Sequence, residues 1–231
     1  MKILGLIPAR GGSKGIPDKN RKELAGKPLL QYTVDAALAA PSLDAVVFSS
    51  EDDTLIAMAR DLGAEVPFVR PEELASDSAG SLDVVIHALQ TLAEQGRSYD
   101  AVCLLQVTTP FRDSSDIERA IAKFVDEGND SLISVQKVPH AYNPHWVFEA
   151  KDGKLRIATG EQTIIPRRQE LPDAYIRDGA IYITKADVLT DQRSFFGNSI
   201  SYIALDPDKY VNIDTPADWE KAEEIAKLRS K

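Results

Sequence analysis

Short apolar runs alternate with helix-patterned segments along most of this chain, and this alternation is the strongest constraint on its fold. The runs have the length and composition of buried strands, and the segments between them repeat apolar residues at helical spacing. Such an alternation predicts an α/β three-layer sandwich with a mainly parallel sheet. The predicted strands are 3–7, 46–49, 65–69, 101–106, 131–135, 179–183 and 201–205; the predicted helices run from Asp52 or Asp53 to 62, from 81 to 94, from Ser114 or Ser115 to 127, and from 214 to 229.

Composition limits the classes of protein to which the chain can belong. Its 231 residues, of which 43% are hydrophobic, fit one domain spanning 1–231. The net charge of −9 argues against a general nucleic-acid surface. A strand-forming start and the lack of long apolar runs predict a cytoplasmic protein with neither signal peptide nor membrane span. The single cysteine, Cys103, lies in an apolar run and is predicted to be a core residue.

A glycine-rich, cationic loop follows the first predicted strand directly. Residues 10–15 read Arg-Gly-Gly-Ser-Lys-Gly, and glycines let backbone N–H groups approach a ligand closely. Six basic and two acidic residues lie between Arg10 and Lys27, a basic island in an acidic chain. Such an island attracts anions, so the loop predicts a site for nucleotide phosphates; the alternative is a solvated surface turn. The spacing matches neither the P-loop of ATPases nor the dinucleotide fingerprint.

The predicted sheet also indicates where a ligand would bind. In open α/β sheets, ligands lie at the carboxyl ends of the strands. Residues 10–20, 49–50 and 106–112 all fall on that edge. The pattern changes at 137–178, where prolines accumulate and Lys151-Asp152-Gly153-Lys154 carries a hairpin signal, so this segment is predicted to be a small extended excursion.

An ordered set of short motifs resembles one family, the acylneuraminate cytidylyltransferases, over residues 3–219. The motifs are Ile7-Pro8-Ala9-Arg10, Ser13-Lys14-Gly15, Lys19-Asn20, Arg70-Pro71, Leu74-Ala75-Ser76-Asp77, Leu104-Leu105-Gln106, Thr109-Pro110, Pro166-Arg167-Arg168-Gln169, Asp178-Gly179-Ala180-Ile181-Tyr182 and Ile213-Asp214-Thr215. The resemblance implies a Rossmann-like nucleotidyltransferase sandwich that joins the CMP part of CTP to a nonulosonic acid and releases pyrophosphate. It also implies a homodimer, with 137–178 as a dimerisation arm reaching the partner's active site.

The same resemblance implies roles for individual residues. Lys19 is the residue expected to be essential for catalysis, with Lys14 and Arg10 beside it on the triphosphate. The residues implied for the nucleotide are Ala9, Arg10, Gly11, Ser13, Lys14, Asn20, Arg70, Ala79 and Ser81, and those implied for the sugar acid are Gln106, Arg168, Gln169 and Tyr182. Each has a structural alternative: a solvated lysine at 19, a strand-end arginine at 70, or an exposed basic pair at 167–168.

The implied cofactor is Mg²⁺, with Asp214 and Asn212 as its ligands. Mg²⁺ binds oxygen and usually takes one or two carboxylates together with phosphate oxygens. Much of the family has Asp-Ile-Asp where this chain has Asn212-Ile213-Asp214. The number of carboxylates on the metal therefore stays open, and Asp214 has the alternative role of capping the last helix.

A second departure from the family pattern leaves the substrate open. Family members often have Arg-Pro-Asn-Gly where this chain has Ile176-Arg177-Asp178-Gly179, and an acidic residue near an acidic sugar is unexpected. Legionaminic, pseudaminic or an eight-carbon ulosonic acid are alternatives to sialic acid, and a non-catalytic nucleotide-binding relative is an alternative of another class. Arg112 could meet a substrate carboxylate or pair with Asp116, and no residue of the motifs is an obvious general base.

Overall fold

The structure is a computed structural model that describes residues 1–76 and 78–229. Asp77, part of one motif noted above, lies outside the described residues. The strands are β1 Ile3–Pro8, β2 Glu23–Leu24, β3 Lys27–Pro28, β4 Ala45–Ser49, β5 Ala101–Leu104, β6 Ser131–Lys137, β7 Phe148–Lys151, β8 Lys154–Ile157, β9 Tyr175–Lys185 and β10 Ile200–Ala204. The α-helices are α1 Leu29–Leu38, α2 Asp53–Asp61, α3 Ser81–Glu94, α4 Ser114–Glu127, α5 Ala186–Thr190 and α6 Pro216–Arg229.

Six strands form the central sheet in the order β10-β6-β9-β5-β1-β4. β1 pairs in parallel with β4 and β5, and β10 pairs in parallel with β6. β9 is antiparallel to both of its neighbours. A parallel neighbour needs a crossover, whereas β9 returns from the 138–174 excursion at the end of β6 and runs back beside it. The predicted mainly parallel sandwich is confirmed, with this one reversed strand.

The sheet is buried on both faces. Ile3 and Ile7 of β1 pack into one apolar cluster, which also contains Phe124 of α4 and Trp219 of α6. Leu4 and Leu6 point into the other cluster, with residues of α3 and α5. Alternate residues of a strand point to opposite faces, so an unbroken apolar run is what a two-sided sheet requires.

Most predicted elements have observed counterparts, but one predicted strand is wrong, and α1, α5, β2 and β3 were not predicted. The predicted strand 65–69 is wrong, because only Glu65 bridges the sheet, beside Val47, and Pro67 follows. Helix α1 was not predicted from the sequence, since Pro28 precedes it and no side chain caps its N-terminus. Helix α2 begins as predicted: Asp52 accepts a hydrogen bond from Leu55 N at 2.9 Å, an N-cap.

The excursion contains an exposed antiparallel hairpin, β7–β8. Its turn is Asp152-Gly153, and both residues have positive φ, 53° and 72°. This is the backbone that the hairpin signal predicts. Within the described part of the chain, no helix combines the length and apolar character needed to cross a membrane.

Candidate active site

A cleft of about 510 Å³ lies at the carboxyl end of the sheet. It is formed where β1 and β5 end and where the segment before α6 returns to the same edge; residues 49–50, at the end of β4, do not line it. Its lining residues are Pro8, Ala9, Arg10, Ser13, Lys14, Gly15, Lys19, Asn20, Arg70, Leu74, Ser76, Ala79, Ser81, Val84, Gln106, Val107, Thr108, Asn212 and Asp214. The predicted edge of the sheet and most of the predicted site residues therefore meet in one place.

The loop after β1 is held by side chains that bond its backbone. The Arg70 guanidinium donates to Ala9 O at 2.8 Å, and Asn20 Nδ2 donates to Arg10 O at 2.9 Å. Glu51 accepts a hydrogen bond from Gly11 N at 2.8 Å. Three successive residues of the loop are therefore fixed before any ligand binds.

Lys19 and Asp214 meet at the floor of the cleft. Lys19 Nζ donates to Ile213 O at 2.6 Å and to Asp214 Oδ1 at 3.2 Å. The Lys19 side chain is 11% exposed, whereas that of Asp214 is 60% exposed. The Lys19 ammonium is therefore held in place by two hydrogen bonds, and the alternative of a solvated loop lysine does not apply.

The capping role considered for Asp214 belongs to its neighbours. Thr215 Oγ1 accepts from Asp218 N at 3.3 Å, while the Asp218 carboxylate accepts from Thr215 N at 2.8 Å. This reciprocal pair satisfies the start of α6. The Asp214 carboxylate instead bonds Lys19 and Asn212, and it faces the cleft.

The loop after β1 also packs tightly against this segment. A Cβ atom placed on Gly15 would overlap the carbonyl oxygen of Asp214. Glycine at 15 therefore lets the two backbones touch. In contrast, a Cβ on Gly12 would meet nothing within 4 Å.

Arg70 is a buried cation in the wall of the cleft. Its side chain is 4% exposed and forms an ion pair with Glu51, with 2.5 Å between Nη2 and Oε2. Its Nε has no hydrogen-bond partner. A buried donor left unpaired is costly, and the hydrogen bonds of Nη2 to Ala9 O and Glu51 are the ones that hold this side chain in the wall.

Gln106 follows β5 and lines the cleft, but Arg112 does not. Arg112 is buried and donates to Gln106 O at 2.5 Å, Thr109 O at 2.6 Å and Thr33 Oγ1 at 3.1 Å. Burial lowers the pKa of Arg112 to about 10. Neither role expected for Arg112 is observed. Its guanidinium holds the backbone of the 106–109 turn through the carbonyls of Gln106 and Thr109. Asp116 forms an ion pair with Arg119 and not with Arg112.

Asp178 is also a structural residue. It is 2% exposed and accepts hydrogen bonds from Ser134 Oγ, Gln136 Nε2 and Ala180 N. It does not line the cleft. The Asp178 carboxylate therefore bonds groups within the sheet, beside the irregular pairing of β6 and β9 between Ile133 and Val135. Its presence in the sequence does not indicate which sugar acid is the substrate.

Three residues implied for the sugar acid lie away from the cleft. Arg168 and Gln169 are exposed in a short 3₁₀ turn of the excursion. Tyr182 is buried on β9, with its ring centroid 6.0 Å from that of Phe195. Within one chain, Gln106 alone of the four lines the cleft.

Sequence reasoning missed several residues of the site. Leu74, Val84 and Thr108 line the cleft, and Glu51 supports its loop. Position 108 lies on an edge that the strand order indicated. Glu51 lacks a local sequence signal, because its two partners are 40 and 19 residues away.

The chemistry of the donor set fits a hard cation bound together with phosphates. Asp214 provides an exposed carboxylate, and Asn212 provides an amide whose Nδ2 lies 2.8 Å from Asp214 Oδ2. Among residues 1–76 and 78–229, no group of three or more His, Cys, Asp or Glu side chains could hold a metal ion. A cation here would need additional oxygen ligands from nucleotide phosphates and water, which is how Mg²⁺ is commonly bound in nucleotide sites.

The chain was compared with known proteins. The family model described as cytidylyltransferase matches residues 4–230. Pseudaminic acid cytidylyltransferase of Campylobacter jejuni is 34% identical, covering 99% of this chain and 97% of that protein. CMP-N,N'-diacetyllegionaminic acid synthase of Legionella pneumophila is also 34% identical, with the same coverage. N-acylneuraminate cytidylyltransferase of Escherichia coli is 32% identical, covering 100% of this chain and 53% of that protein.

A solved structure of CMP:2-keto-3-deoxy-manno-octonic acid synthetase complexed with CTP has a TM-score of 0.75 with this chain. It covers 99% of this chain and 100% of that one, at 18% identity. This likeness concerns the fold, and it confirms the nucleotidyltransferase sandwich.

Proposed function

Because the chain belongs to the cytidylyltransferase family, we propose that it transfers CMP from CTP to the anomeric hydroxyl of a nonulosonic acid and releases pyrophosphate. The observation that carries the proposal is the cleft that joins a cationic loop to Lys19 and Asp214. A site for CTP needs cations that neutralise the triphosphate and space beside the α-phosphate for the second substrate. A cytoplasmic location follows from the proposal, since the reaction uses CTP.

The transfer makes one bond and breaks one. The anomeric oxygen attacks the α-phosphorus, the bond from that phosphorus to the β-phosphate oxygen breaks, and the hydroxyl proton passes to water. Negative charge develops on the α-phosphate and on the leaving pyrophosphate. Arg10, Lys14 and Lys19 line the cleft and would stabilise this charge, with Ser13 beside them. Gly11, which the resemblance also implied for the nucleotide, does not line the cleft, and its N–H donates to Glu51.

Lys19 is proposed as the most important of these cations. Its ammonium is held by a carbonyl and by Asp214, so its position is set before CTP binds. A charge fixed in advance costs no reorganisation at the moment of reaction. Lys14 would then act on the same phosphates from the loop above.

The nucleoside would occupy the side of the cleft that Arg70 closes. Ala9, Asn20, Ala79 and Ser81 line the cleft together with Arg70 and would contact the nucleoside. Gln106 would contact the sugar acid at the end of β5. The clamp by Arg112 keeps the Gln106 backbone in place.

Mg²⁺ is proposed as the cofactor, held by Asp214 and by the Oδ1 of Asn212. When bound, it would neutralise charge on the triphosphate oxygens. With one carboxylate and one amide, the chain supplies a single negative charge. Most of the metal's ligands would therefore come from the nucleotide and from water.

An experiment is needed to identify which nonulosonic acid is the substrate. The relatives named above carry pseudaminic, diacetyllegionaminic and neuraminic acids in their names at nearly equal identity. The burial of Asp178 removes the residue that had argued against sialic acid. Any of the nonulosonic acids therefore remains a candidate substrate, and the eight-carbon ulosonic acids belong in the same assay.

A homodimer is proposed together with the reaction. The excursion exposes large apolar side chains, among them Phe148, Leu155 and Ile164. Arg168 and Gln169 lie in the same segment, away from the cleft of their own chain. In a dimer built through this arm, these two residues would reach the cleft of the second copy, and sedimentation velocity tests the assembly directly.

Pyrophosphate release tests the proposed function. We would incubate the protein with Mg²⁺, CTP and one acid at a time, drawn from neuraminic, legionaminic, pseudaminic and eight-carbon ulosonic acids. UTP, ATP and GTP serve as controls. Release that requires both CTP and one acid supports the proposal, while CTP binding without release would favour a non-catalytic nucleotide-binding role.

A further inference from the structure

We propose that Glu51 is a positioning residue for the nucleotide-binding loop, residues 9–15, and so sets the affinity for CTP without touching it. The inference rests on the proposed function for its ligand, but its structural part concerns the loop alone. It is unexpected on charge grounds, because it places a carboxylate beside a loop that is meant to bind anions.

Glu51 connects two parts of the site with its two oxygens. Oε1 accepts the hydrogen bond from Gly11 N at 2.8 Å, and Oε2 accepts from Arg70 Nη2 at 2.5 Å. The same Nη2 donates to Ala9 O at 2.8 Å. The carboxylate therefore closes a ring that contains the loop backbone at both 9 and 11.

This ring is well placed to act as a rigid support. Glu51 follows β4, and Arg70 N donates to Ser50 O at 2.9 Å, so both side chains start from a fixed backbone. The Arg70 side chain is 4% exposed and that of Glu51 is 17% exposed. Charge-assisted bonds that are shielded from water are stronger than exposed ones.

Glu51 does not line the cleft, whereas both of its partners' segments do. Its effect on a ligand must therefore pass through the loop and through Arg70. Without Glu51, Gly11 N would lose its acceptor, and Arg70 would lose its ion pair while keeping its hydrogen bond to Ala9 O. The loop would then have to be ordered by CTP itself, which reduces affinity.

Charge and positioning predict opposite results, which makes the inference testable. Removing a carboxylate near an anion site should strengthen CTP binding by about twofold at low salt, and 0.5 M salt should abolish the gain. Losing the support should weaken binding by about tenfold or more, with little dependence on salt. The two effects therefore differ in sign and in salt response.

The experiment uses Glu51→Ala, Glu51→Gln and Glu51→Asp in the full chain. Glutamine has one acceptor oxygen in place of two, so it can accept from Gly11 N or from Arg70 but cannot replace both bonds. Aspartate keeps the charge but is too short to reach both partners. Glu72→Gln is the matched control, since Glu72 is exposed on the segment that follows Arg70. Calorimetry would give Kd for CTP with Mg²⁺ at 0.05 and 0.5 M NaCl, and turnover would give KM and kcat.

We expect the Kd and KM for CTP to rise about tenfold or more in all three variants at both salt concentrations, with alanine the most affected. The kcat at saturating CTP should change much less, and Glu72→Gln should resemble the wild type. Glu51→Asp matching the wild type while Glu51→Gln binds more tightly would overturn the proposal, because charge alone would then be acting. Wild-type affinity in Glu51→Gln and Glu51→Asp would also overturn it.

Amide hydrogen exchange separates this inference from the proposed function. In the ligand-free protein, amides at 9–15 should exchange faster in Glu51→Gln and Glu51→Ala than in the wild type, while amides of the β5 strand stay unchanged. If the wild type fails to bind CTP, the proposed function is overturned, and this exchange result alone decides the role of Glu51. Unchanged exchange at 9–15 would show that Glu51 does not position the loop.

Discussion

Lys19 and Asp214 form an ion pair across the base of the cleft, with 3.2 Å between Nζ and Oδ1, although 195 residues separate them. The pair joins the loop after the first strand to the segment before the last helix. It places the cation proposed for charge stabilisation next to the carboxylate proposed for the metal.

Lys19→Ala should lower kcat by about 100-fold or more, which is typical for loss of a group that stabilises developing charge. The variant also loses the bonds of Lys19 to Ile213 O and Asp214, so a melting curve is needed to show that it is folded at the assay temperature. Lys27→Ala is the control, since Lys27 is exposed and pairs with Asp35. Full turnover by Lys19→Ala would show that the catalytic assignment is wrong.

Gly15→Ala should destabilise the ligand-free protein, because the new methyl group would overlap the Asp214 carbonyl. Overpacking of this kind costs about 1–3 kcal/mol, and each kcal/mol corresponds to roughly 2–4 °C in Tm at this size. Gly12→Ala is the matched control in the same loop, where the space is open. Equal melting temperatures for the two variants would contradict the packing described here.

Asp178→Asn should lower the melting temperature but keep the wild-type preference among sugar acids. The carboxylate accepts three hydrogen bonds inside the sheet, and an amide offers fewer acceptor positions. Gln106→Ala, at the cleft, should instead change the KM for the acid. The measurement is the ratio of kcat/KM values for two acids, and a reversed preference in Asp178→Asn would place this residue in substrate recognition after all.

Protonation of Asp113 should lower the stability of the protein in acid. Burial opposes its ionisation, but hydrogen bonds from Lys209, Ser115 and Asp116 N outweigh burial and lower the pKa of Asp113 to about 2. A depressed pKa in the folded state means that the stabilisation is complete above the unfolded value of about 3.9 and is lost as pH falls towards 2. The gap in Tm between wild type and Asp113→Asn should therefore shrink from pH 5 to pH 2, and a constant gap would argue against this ionisation.

Cys103 should be inert to thiol reagents in the folded protein at pH 8. It is fully buried on β5, and burial raises the pKa of its thiol to about 12. Only the thiolate reacts readily. Labelling with a chromogenic disulfide should be slow in buffer and complete in guanidinium; rapid labelling of the native protein would mean that β5 opens easily.

Local patterns predicted the elements that are governed by local rules. The bounds of α3 agree with its apolar spacing, α2 begins at a capping aspartate, and the hairpin turn falls on Asp152-Gly153. Helix α1 has no such start signal, and Val66 and Phe68 pack against the core without forming a strand. Where the local signal was weak, tertiary packing decided the outcome.

The site was predictable only in part, for a similar reason. The loop after β1 and the ends of the strands are sequence features, so Arg10, Lys14, Lys19 and Gln106 could be found. The polar residues that support them form bonds that no local pattern signals: Glu51 accepts from Gly11 N, 40 residues away, and Arg112 donates to the carbonyls of Gln106 and Thr109 and to Thr33 Oγ1, 79 residues away. A sequence alone does not distinguish such a buried support from a residue that touches substrate.

The reversal of β9 has a consequence for how such a chain can change. Because β9 lies directly beside β6, the excursion starts and finishes at neighbouring points, and Val138 N donates to Ala174 O at 2.9 Å. A segment whose two ends already meet can be lengthened, shortened or exchanged at little entropic cost. The excursion can therefore change in length or sequence while the sandwich that carries the cleft keeps its fold.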